Sequence, residues 1–212
     1  MVVYGSTLSP FVRKTLAYIS EKGLSAELKP IRLQDPQPEF REASPFGKMP
    51  GFRDGDFAIS DSTAIITYLE ALHPEPAMLP TEPKARARTI WYEEFADTIL
   101  TAAGGAVFFN RVVAPMFLGR PGDVAAAEKA EKDDLPPIID YIERIIPDSG
   151  YLVEDRLTLA DLAVASPFVN LEHCGITVDA AKHPKTAAYV GKIHARPSFA
   201  SMIAQEKQFF AR

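Results

Sequence analysis

The stretch of sequence that decides the fold is residues 1–31, which read MVVYGSTLSPFVRKTLAYISEKGLSAELKPI. A short apolar run at residues 1–4 predicts a buried strand. Ser9 and Pro10 then supply an N-cap and a proline at the first helical position, so we expect a helix to begin here. Residues 25–31 alternate in character and predict a second strand, which runs parallel to the first because a helix joins the two.

Further elements follow this β-α-β unit. Residues 33–45 contain three prolines and predict an irregular connection with one helical turn at residues 39–43. Short apolar runs on both sides of an Asp-Gly-Asp sequence at residues 54–56 predict a β-hairpin. Apolar residues on one face of residues 61–72 predict a helix. The predicted order of the N-terminal elements is therefore βαβαββα.

The hydrophobic pattern becomes helical throughout after Pro83. Five helices are predicted, over residues 84–117, 123–146, 158–173, 184–195 and 197–210. Pro136 and Pro137 lie inside the second of these helices, where they predict a kink or a split. Thr158 and Asp161 have the spacing of a capping box at the start of the third helix.

The change of pattern at a proline-rich segment marks the boundary between two predicted domains. We predict an α/β domain over residues 1–76, a linker over residues 77–83 and an all-α domain over residues 84–212. No segment after the linker alternates with the period of a strand, so the second domain is expected to contain helices alone.

Composition and charge exclude several classes of protein. Hydrophobic residues make up 47% of the chain and charged residues 24%, which is typical of a globular protein and not of a disordered one. The net charge of −5 argues against a surface that binds nucleic acid. The single cysteine, Cys174, allows no intramolecular disulfide, and neither a signal peptide nor an apolar run of membrane-spanning length is evident. We therefore expect a cytoplasmic protein without a nucleic-acid or membrane partner.

Residues of the types that bind metals are scattered along the chain. The four histidines occur singly, at positions 73, 173, 183 and 194, and there is no pair of cysteines. The Asp-Gly-Asp sequence at residues 54–56 lacks the further ligand spacing of a calcium loop. We therefore expect no metal ion.

Five short motifs resemble, in their order and spacing, those of a known family. They are SPFVRK at residues 9–14, PFGKMP at 45–50, SDSTAI at 60–65, TLADL at 158–162 and RPSF at 196–199. The chain resembles the cytosolic glutathione S-transferases, and among them the serine-type enzymes of the bacterial, tau, phi and theta classes. The resemblance implies a thioredoxin-like N-terminal domain, an all-helical C-terminal domain, glutathione as co-substrate and a homodimer.

The resemblance implies that Ser9 activates the thiol of glutathione. A hydroxyl can donate a hydrogen bond to the sulfur, and the amino end of a helix favours an anion, so both features favour the thiolate. The sequence leaves two alternatives open. Ser9 is also a suitable N-cap, and Tyr4, Ser6 or Thr7 could supply the hydroxyl instead.

The resemblance also implies which residues bind the rest of glutathione. The backbone of Met49, exposed by a cis bond to Pro50, would pair with the tripeptide as a short added strand. Asp61 would meet the γ-glutamyl ammonium group and Ser62 the γ-glutamyl carboxylate. Lys48 would meet the glycyl carboxylate. The alternatives for Asp61 and Ser62 are an ordinary N-cap pair, and for Lys48 an exposed lysine.

The chain departs from the family pattern before the second helix. Phi and tau enzymes carry a basic residue just before the position of Pro38, whereas this chain has Asp35, Pro36 and Gln37 there. Gln34 is the expected substitute in glutathione binding, with Arg32 as an alternative.

The second substrate is expected to bind between the two domains, where ligand pockets often form. Leu8 and Phe11 would line this site on one side, and Phe108, Phe109 and Val112 of the first long helix on the other. The alternative is that these apolar residues belong to the core.

Three functions remain open from the sequence. The first is a transferase that attaches glutathione to a small hydrophobic electrophile. The second is a glutathione-dependent isomerase or peroxidase. The third is a non-catalytic interaction or stress module on the same scaffold, because a fold does not determine a function.

Overall fold

The fold is described by a computed structural model of residues 1–211. Its N-terminal part has the predicted order βαβαββα. The elements are β1 (Val2–Gly5), α1 (Pro10–Glu21), β2 (Glu27–Pro30), α2 (Pro38–Ala43), β3 (Gly51–Asp54), β4 (Phe57–Ser60) and α3 (Ser62–Leu72). Arg212, the last residue of the predicted helical domain, lies outside the described residues.

The four strands form one mixed sheet in the order β2-β1-β3-β4. β1 is parallel to β2 and antiparallel to β3, and β3 is antiparallel to β4. Asp54 pairs with Phe57, so the hairpin closes through a two-residue turn, as the Asp-Gly sequence predicts. Gly55 in this turn has φ of 60°, which glycine adopts without steric cost.

The two faces of the sheet are covered by different helices. Val3 of β1 belongs to the large core that contains Val12 of α1 and Ile65 of α3. Its neighbour in β1, Tyr4, points to the other face and packs in a small cluster with Phe40 of α2. This alternation follows from the two-residue period of a strand, and it gives a thioredoxin-like domain.

Among the described residues, the regular elements of the C-terminal part are all helices, apart from an isolated β-bridge between Val153 and Arg156. Its elements are α4 (Pro83–Phe117), α5 (124–145), α6 (Leu159–His173), α7 (Pro184–His194) and α8 (Pro197–Phe210). α6 is buried along most of its length, and both α1 and α4 pack against it. The helices of the two parts therefore share one hydrophobic core.

The capping box predicted at the start of α6 is confirmed. The backbone N–H of Thr158 donates to Asp161 Oδ2 at 2.8 Å, and the N–H of Leu152 donates to Asp161 Oδ1 at 2.9 Å. The carboxylate thus satisfies two buried backbone donors at once.

The structure corrects one expectation about the long helices and one part of another. α4 is apolar and long enough by composition to cross a membrane, but 39% of its apolar window is buried and it packs on α6 as a core helix. In α5, Pro136 and Pro137 do not split the helix. The chain stays helical from 124 to 145 and widens into π-helical turns at Ala130–Asp134, because the prolines that follow cannot donate N–H bonds.

Candidate active site

The loop between β1 and α1 places Ser9 at the amino end of a helix. Ser9 is half-buried, with φ of −82° and ψ of 124°, the extended backbone of an N-cap. Its backbone N–H donates to the carbonyl of Ser6 at 2.9 Å. Its hydroxyl, however, makes no hydrogen bond to any residue between 1 and 211, so the backbone caps the helix without the side chain.

The first turn of α1 is electrostatically suited to an anion. Pro10 has no N–H, so the first unpaired amide donors of the helix are those of Phe11 and Val12. No acidic residue occurs in this turn. The helix dipole and these donors together favour a negative charge beside Ser9.

The loop before β3 brings an open piece of backbone to the end of β1. The Met49-Pro50 bond is cis. The N–H and C=O of Met49 have no hydrogen-bond partner within residues 1–211, while the carbonyl of Lys48 accepts from the Ser44 hydroxyl at 2.6 Å. A Cβ atom on Gly5 would lie 3.5 Å from Met49 Cβ, so the loop packs directly on the end of β1.

The start of α3 supplies a carboxylate and a hydroxyl. Asp61 is the N-cap, and its Oδ1 accepts from the N–H groups of Thr63 at 2.9 Å and Ala64 at 3.2 Å. Its Oδ2 accepts no hydrogen bond from the described chain. Ser62 beside it is 3% exposed. Asp61 also has φ of 79°, an uncommon conformation for a residue other than glycine, which is typical of functional sites.

A cleft of about 960 Å³ between α3 and α4 collects three of the predicted residues. Phe11, Lys48 and Asp61 line it, together with Asp97 and Glu94 of α4. Lys48 and Asp61 are exposed. The cleft therefore offers one positive and several negative side chains to a ligand that carries both charges.

A buried ion cluster that the sequence analysis did not identify lies against this cleft. Lys14 Nζ is 2.9 Å from Glu93 Oε1 and 2.5 Å from Asp97 Oδ2. The Thr63 hydroxyl donates to the same Glu93 oxygen at 2.9 Å, whereas Glu93 Oε2 is buried without a partner among the described residues. Burial raises the pKa of the Asp97 carboxyl to about 6, although Lys14 opposes this.

The raised pKa of Asp97 predicts a pH-dependent stability. The folded chain binds more protons than the unfolded chain between pH of about 4 and about 6, so the free energy of unfolding falls as pH rises through that window. The free energy of unfolding of Asp97→Asn should not fall in this way, because the amide is neutral at every pH. We expect Asp97→Asn to be about 1–2 kcal/mol more stable than wild type at pH 7.5 and equal to it near pH 4.

Urea unfolding of both proteins at several pH values measures this difference. Asp148→Asn is the control, because the Asp148 side chain is fully exposed. Parallel curves for Asp97→Asn and wild type would show that Asp97 titrates normally.

The loop that carries Gln34 is held by a basic residue of α2 that the sequence analysis missed. Arg41 of α2 donates from Nη2 to the carbonyl of Gln34 at 3.1 Å and to its Oε1 at 3.2 Å. A Cβ on Gly47 would lie 2.5 Å from Arg41 Nη1, so the guanidinium covers the residue next to Lys48. Arg41 therefore places a positive charge in a region where residues 35–37 have none.

The residues predicted to bind the second substrate differ in how far they are exposed to solvent. Leu8 and Phe11 are half-buried in the loop and first turn. Phe108 and Val112 are 7% and 6% exposed and belong to the core, whereas Phe109 is 37% exposed. A second aromatic surface lies where the ends of α4 and α8 meet. There Phe117 and Phe209 stack with ring centroids 5.9 Å apart and remain about half exposed, at 47% and 45%.

The other candidate hydroxyl and thiol groups have different environments. The hydroxyl of Tyr4 lies 3.4 Å from Glu39 Oε2, on the α2 face of the sheet. Burial raises the pKa of the Cys174 thiol to about 11, which keeps it protonated. Within residues 1–211, no three His, Cys, Asp or Glu side chains are grouped closely enough to hold a metal ion.

Comparison with known proteins covers both parts of the chain. The N-terminal and C-terminal domain families of glutathione S-transferases match residues 3–77 and 109–206. A glutathione S-transferase from Hyoscyamus muticus is 32% identical over 209 residues, which cover 96% of this chain and 97% of that protein.

Solved bacterial structures are similar over the same length. A glutathione S-transferase from Rhodospirillum rubrum aligns with a TM-score of 0.87 at 25% identity, covering 95% of this chain and 90% of the other. One from Methylobacterium radiotolerans, in complex with glutathione sulfonate, aligns with a TM-score of 0.77 at 28% identity, covering 95% and 93%. The sequence, both domain families and the fold agree, and the chain belongs to the cytosolic glutathione S-transferase superfamily.

Proposed function

We propose that the chain binds glutathione, holds its thiol as a thiolate and presents it to a small hydrophobic electrophile. In this conjugation the sulfur forms a bond to the electrophilic carbon, and the leaving group departs with its bonding electron pair. The thiol proton passes to solvent before the attack. Because a free thiol has a pKa of about 8.5, only a few per cent is ionised at pH 7, and the protein's task is to lower that pKa.

The environment of Ser9 is the observation that carries the proposal. Its hydroxyl has no partner in the described chain, and it stands at the amino end of α1 next to unpaired amide donors. A hydroxyl that donates to the sulfur and a positive local field both stabilise the thiolate relative to the thiol. The serine itself need not lose its proton.

We assign the remaining contacts of glutathione to the loop before β3 and to the start of α3. Glutathione pairs with the open backbone of Met49 before Pro50, which supports its peptide part. The free oxygen of Asp61 takes the γ-glutamyl ammonium group, and Ser62 takes the γ-glutamyl carboxylate. Lys48 takes the glycyl carboxylate.

Gln34 belongs to this site through Arg41. The Gln34 side chain is held by the guanidinium, and we propose that the two residues supply polar contacts where related enzymes have a basic residue. A bidentate guanidinium suits a carboxylate, so Arg41 also strengthens the attraction of the glycyl end.

The electrophile is proposed to bind beside the thiolate, against Leu8, Phe11 and the exposed Phe109. Phe117 and Phe209 form a separate aromatic surface where the ends of α4 and α8 meet. Phe108 and Val112 are buried in the core and do not contact the electrophile directly. The protein is proposed to work in the cytoplasm as a homodimer and to detoxify reactive compounds.

Retention on immobilised glutathione, followed by a conjugation assay with a chloronitroarene, tests the proposal. We expect the chain to elute with free glutathione and to form the conjugate. Binding without turnover on any of several electrophiles would contradict the catalytic function and favour a non-catalytic interaction module. Failure to bind glutathione would contradict the proposed function and would also favour a non-catalytic module, in which the glutathione site is lost.

Lys48→Ala tests the proposed carboxylate contact. We expect the KM for glutathione to rise about 2- to 5-fold while kcat changes less than about 1.5-fold, because an exposed charge pair contributes to binding in the ground state and the transition state alike. Lys132→Ala, which removes a similarly exposed lysine in α5, is the control. An unchanged KM in Lys48→Ala would remove this residue from the site.

A further inference from the structure

Two buried side chains of α6 hold the loop that carries Ser9. Asn170 Nδ2 donates to the carbonyl of Leu8 at 2.8 Å, and the Ser166 hydroxyl donates to the carbonyl of Pro10 at 2.8 Å. Leu8 and Pro10 are the residues immediately before and after Ser9. Both donors are nearly inaccessible to solvent, at 4% and 1% exposure. The peptide group before Ser9 and the peptide group after Pro10 are thus fixed from the helical domain.

Arg13 fixes these two side chains in turn. It is completely buried, and its Nη1 donates to Asn170 Oδ1 at 2.9 Å, to the Ser166 hydroxyl oxygen at 3.4 Å and to the Ser166 backbone carbonyl at 2.8 Å. Because a guanidinium can only donate, it must face the amide oxygen of Asn170. The amide nitrogen is therefore left to face Leu8, and the orientation of Asn170 is determined.

The other end of the Arg13 guanidinium is held by α8. Glu206 accepts from Arg13 Nη2 at 2.9 Å and from Nε at 3.3 Å, and His173 Nε2 lies 2.7 Å from the same carboxylate. Burial alone would raise the pKa of Glu206, but the contacts with His173 and Arg13 outweigh it, so the pKa is lowered. The carboxylate stays ionised and keeps the guanidinium in place.

We propose that Asn170 and Ser166 are positioning residues that aim the Ser9 hydroxyl at the sulfur of glutathione. Neither needs to touch the ligand. The direction of a serine hydroxyl depends on the backbone that carries it, and a hydrogen bond weakens steeply as its angle departs from linearity. Release of the Leu8 or Pro10 carbonyl would let the loop shift by a fraction of an ångström, which weakens the bond to the sulfur while glutathione stays bound elsewhere. This inference rests on the proposed function.

The test uses the full-length variants Asn170→Leu and Ser166→Ala saturated with glutathione. The ultraviolet absorbance of the thiolate is titrated with pH and gives the pKa of the bound thiol. We expect this pKa to rise by about half a unit to one unit in both variants, so the thiolate fraction at pH 6.5 falls about 2- to 10-fold, depending on the pKa in wild type. The KM for glutathione should change less than about twofold.

Thr186→Val is the matched control. It also removes a buried side-chain hydroxyl and its hydrogen bond, here to Glu143, but α7 does not pack against α1. We expect its bound thiol to titrate as in wild type even where its thermal stability is lower. A merely structural role of Asn170 and Ser166 would lower stability in the same way without moving the pKa.

Two results separate failure of this inference from failure of the proposed function. A wild-type protein whose bound thiol has the pKa of free glutathione would overturn the proposed function, and the positioning role with it. A lowered pKa in wild type that is identical in both folded variants would overturn the positioning role alone.

Hydrogen exchange provides a check without ligand. The loop at residues 5–14 should exchange faster in Asn170→Leu than in Thr186→Val, and equal rates would count against the proposal.

Discussion

Replacement of Ser9 by alanine is expected to lower kcat/KM for conjugation about 10- to 100-fold at pH 6.5. A hydrogen bond to a charged group contributes about 1.5–3 kcal/mol, and each 1.4 kcal/mol corresponds to a factor of ten. The fold should not change, because the Ser9 side chain makes no hydrogen bond within residues 1–211. The thermal unfolding temperature is therefore expected to stay within about 2 °C of wild type.

The pH profile separates a role in thiol activation from a role in binding. If Ser9 stabilises the thiolate, the apparent pKa of the bound thiol should rise toward about 8.5 in Ser9→Ala, and activity should recover partly at high pH. If Ser9 contributes only to binding, KM should rise at every pH without a shift of the profile.

Two variants of other hydroxyls in the same region serve as controls. Ser6→Ala removes the acceptor of a 3.3 Å bond from the Leu8 N–H, and Tyr4→Phe removes a hydroxyl on the opposite face of the sheet. Neither is expected to shift the pKa of the bound thiol. Unchanged activity in Ser9→Ala together with a loss in one of these would transfer the activating role to that residue.

The elements of the fold could be predicted because their causes are local. Pro10 begins a helix, Asp-Gly at positions 54 and 55 turns a hairpin, and Thr158 with Asp161 caps a helix, each within a few residues of the structure it produces. Pro136 and Pro137 predicted a kink or a split in α5, and the structure excludes the split, because the helix is continuous and contains π-helical turns just before them. A proline cannot donate to the preceding turn, yet packing kept the helix continuous by widening it.

The positions of the site residues depend on contacts that are distant in sequence. The resemblance placed Lys48 and Asp61 in one site, and both line the same cleft. Asn170, by contrast, lies 162 residues from the carbonyl it binds, and nothing near it in sequence distinguishes it from an ordinary helical asparagine. Phe209 meets Phe117 for the same reason, through the packing of α8 on the rest of the chain.

Lys14 is another residue whose role depends on contacts that are distant in sequence. Its replacement gives the largest expected effect on stability. The sequence presents it as one more charged residue of a helix, but it is 1% exposed and pairs with Glu93 and Asp97, 79 and 83 residues away. Lys14→Met keeps the length and apolar contacts of the stem while it removes the cation. Two carboxylates then remain without their cation at the contact between α1 and α4, and Glu93 is completely buried.

We expect Lys14→Met to lower the free energy of unfolding by about 3–5 kcal/mol at pH 7.5, because removal of one partner leaves an uncompensated buried charge. The deficit should shrink toward pH 5, where Asp97, with its pKa of about 6, is protonated. Urea unfolding measures both values. Lys29→Met, which breaks an exposed pair with Glu39, is the control and should change stability little.

A second substitution identifies the cause of the loss. The double variant Lys14→Met/Glu93→Gln lacks both the buried charge of Glu93 and the cation of Lys14. Part of the lost stability should therefore return. The changes in the free energy of unfolding caused by the two single substitutions should not be additive. A Lys14→Met protein as stable as Lys29→Met would mean that water or a shift of α4 solvates the carboxylates. The cluster would then contribute nothing to holding α1, and therefore Ser9, against the helical domain.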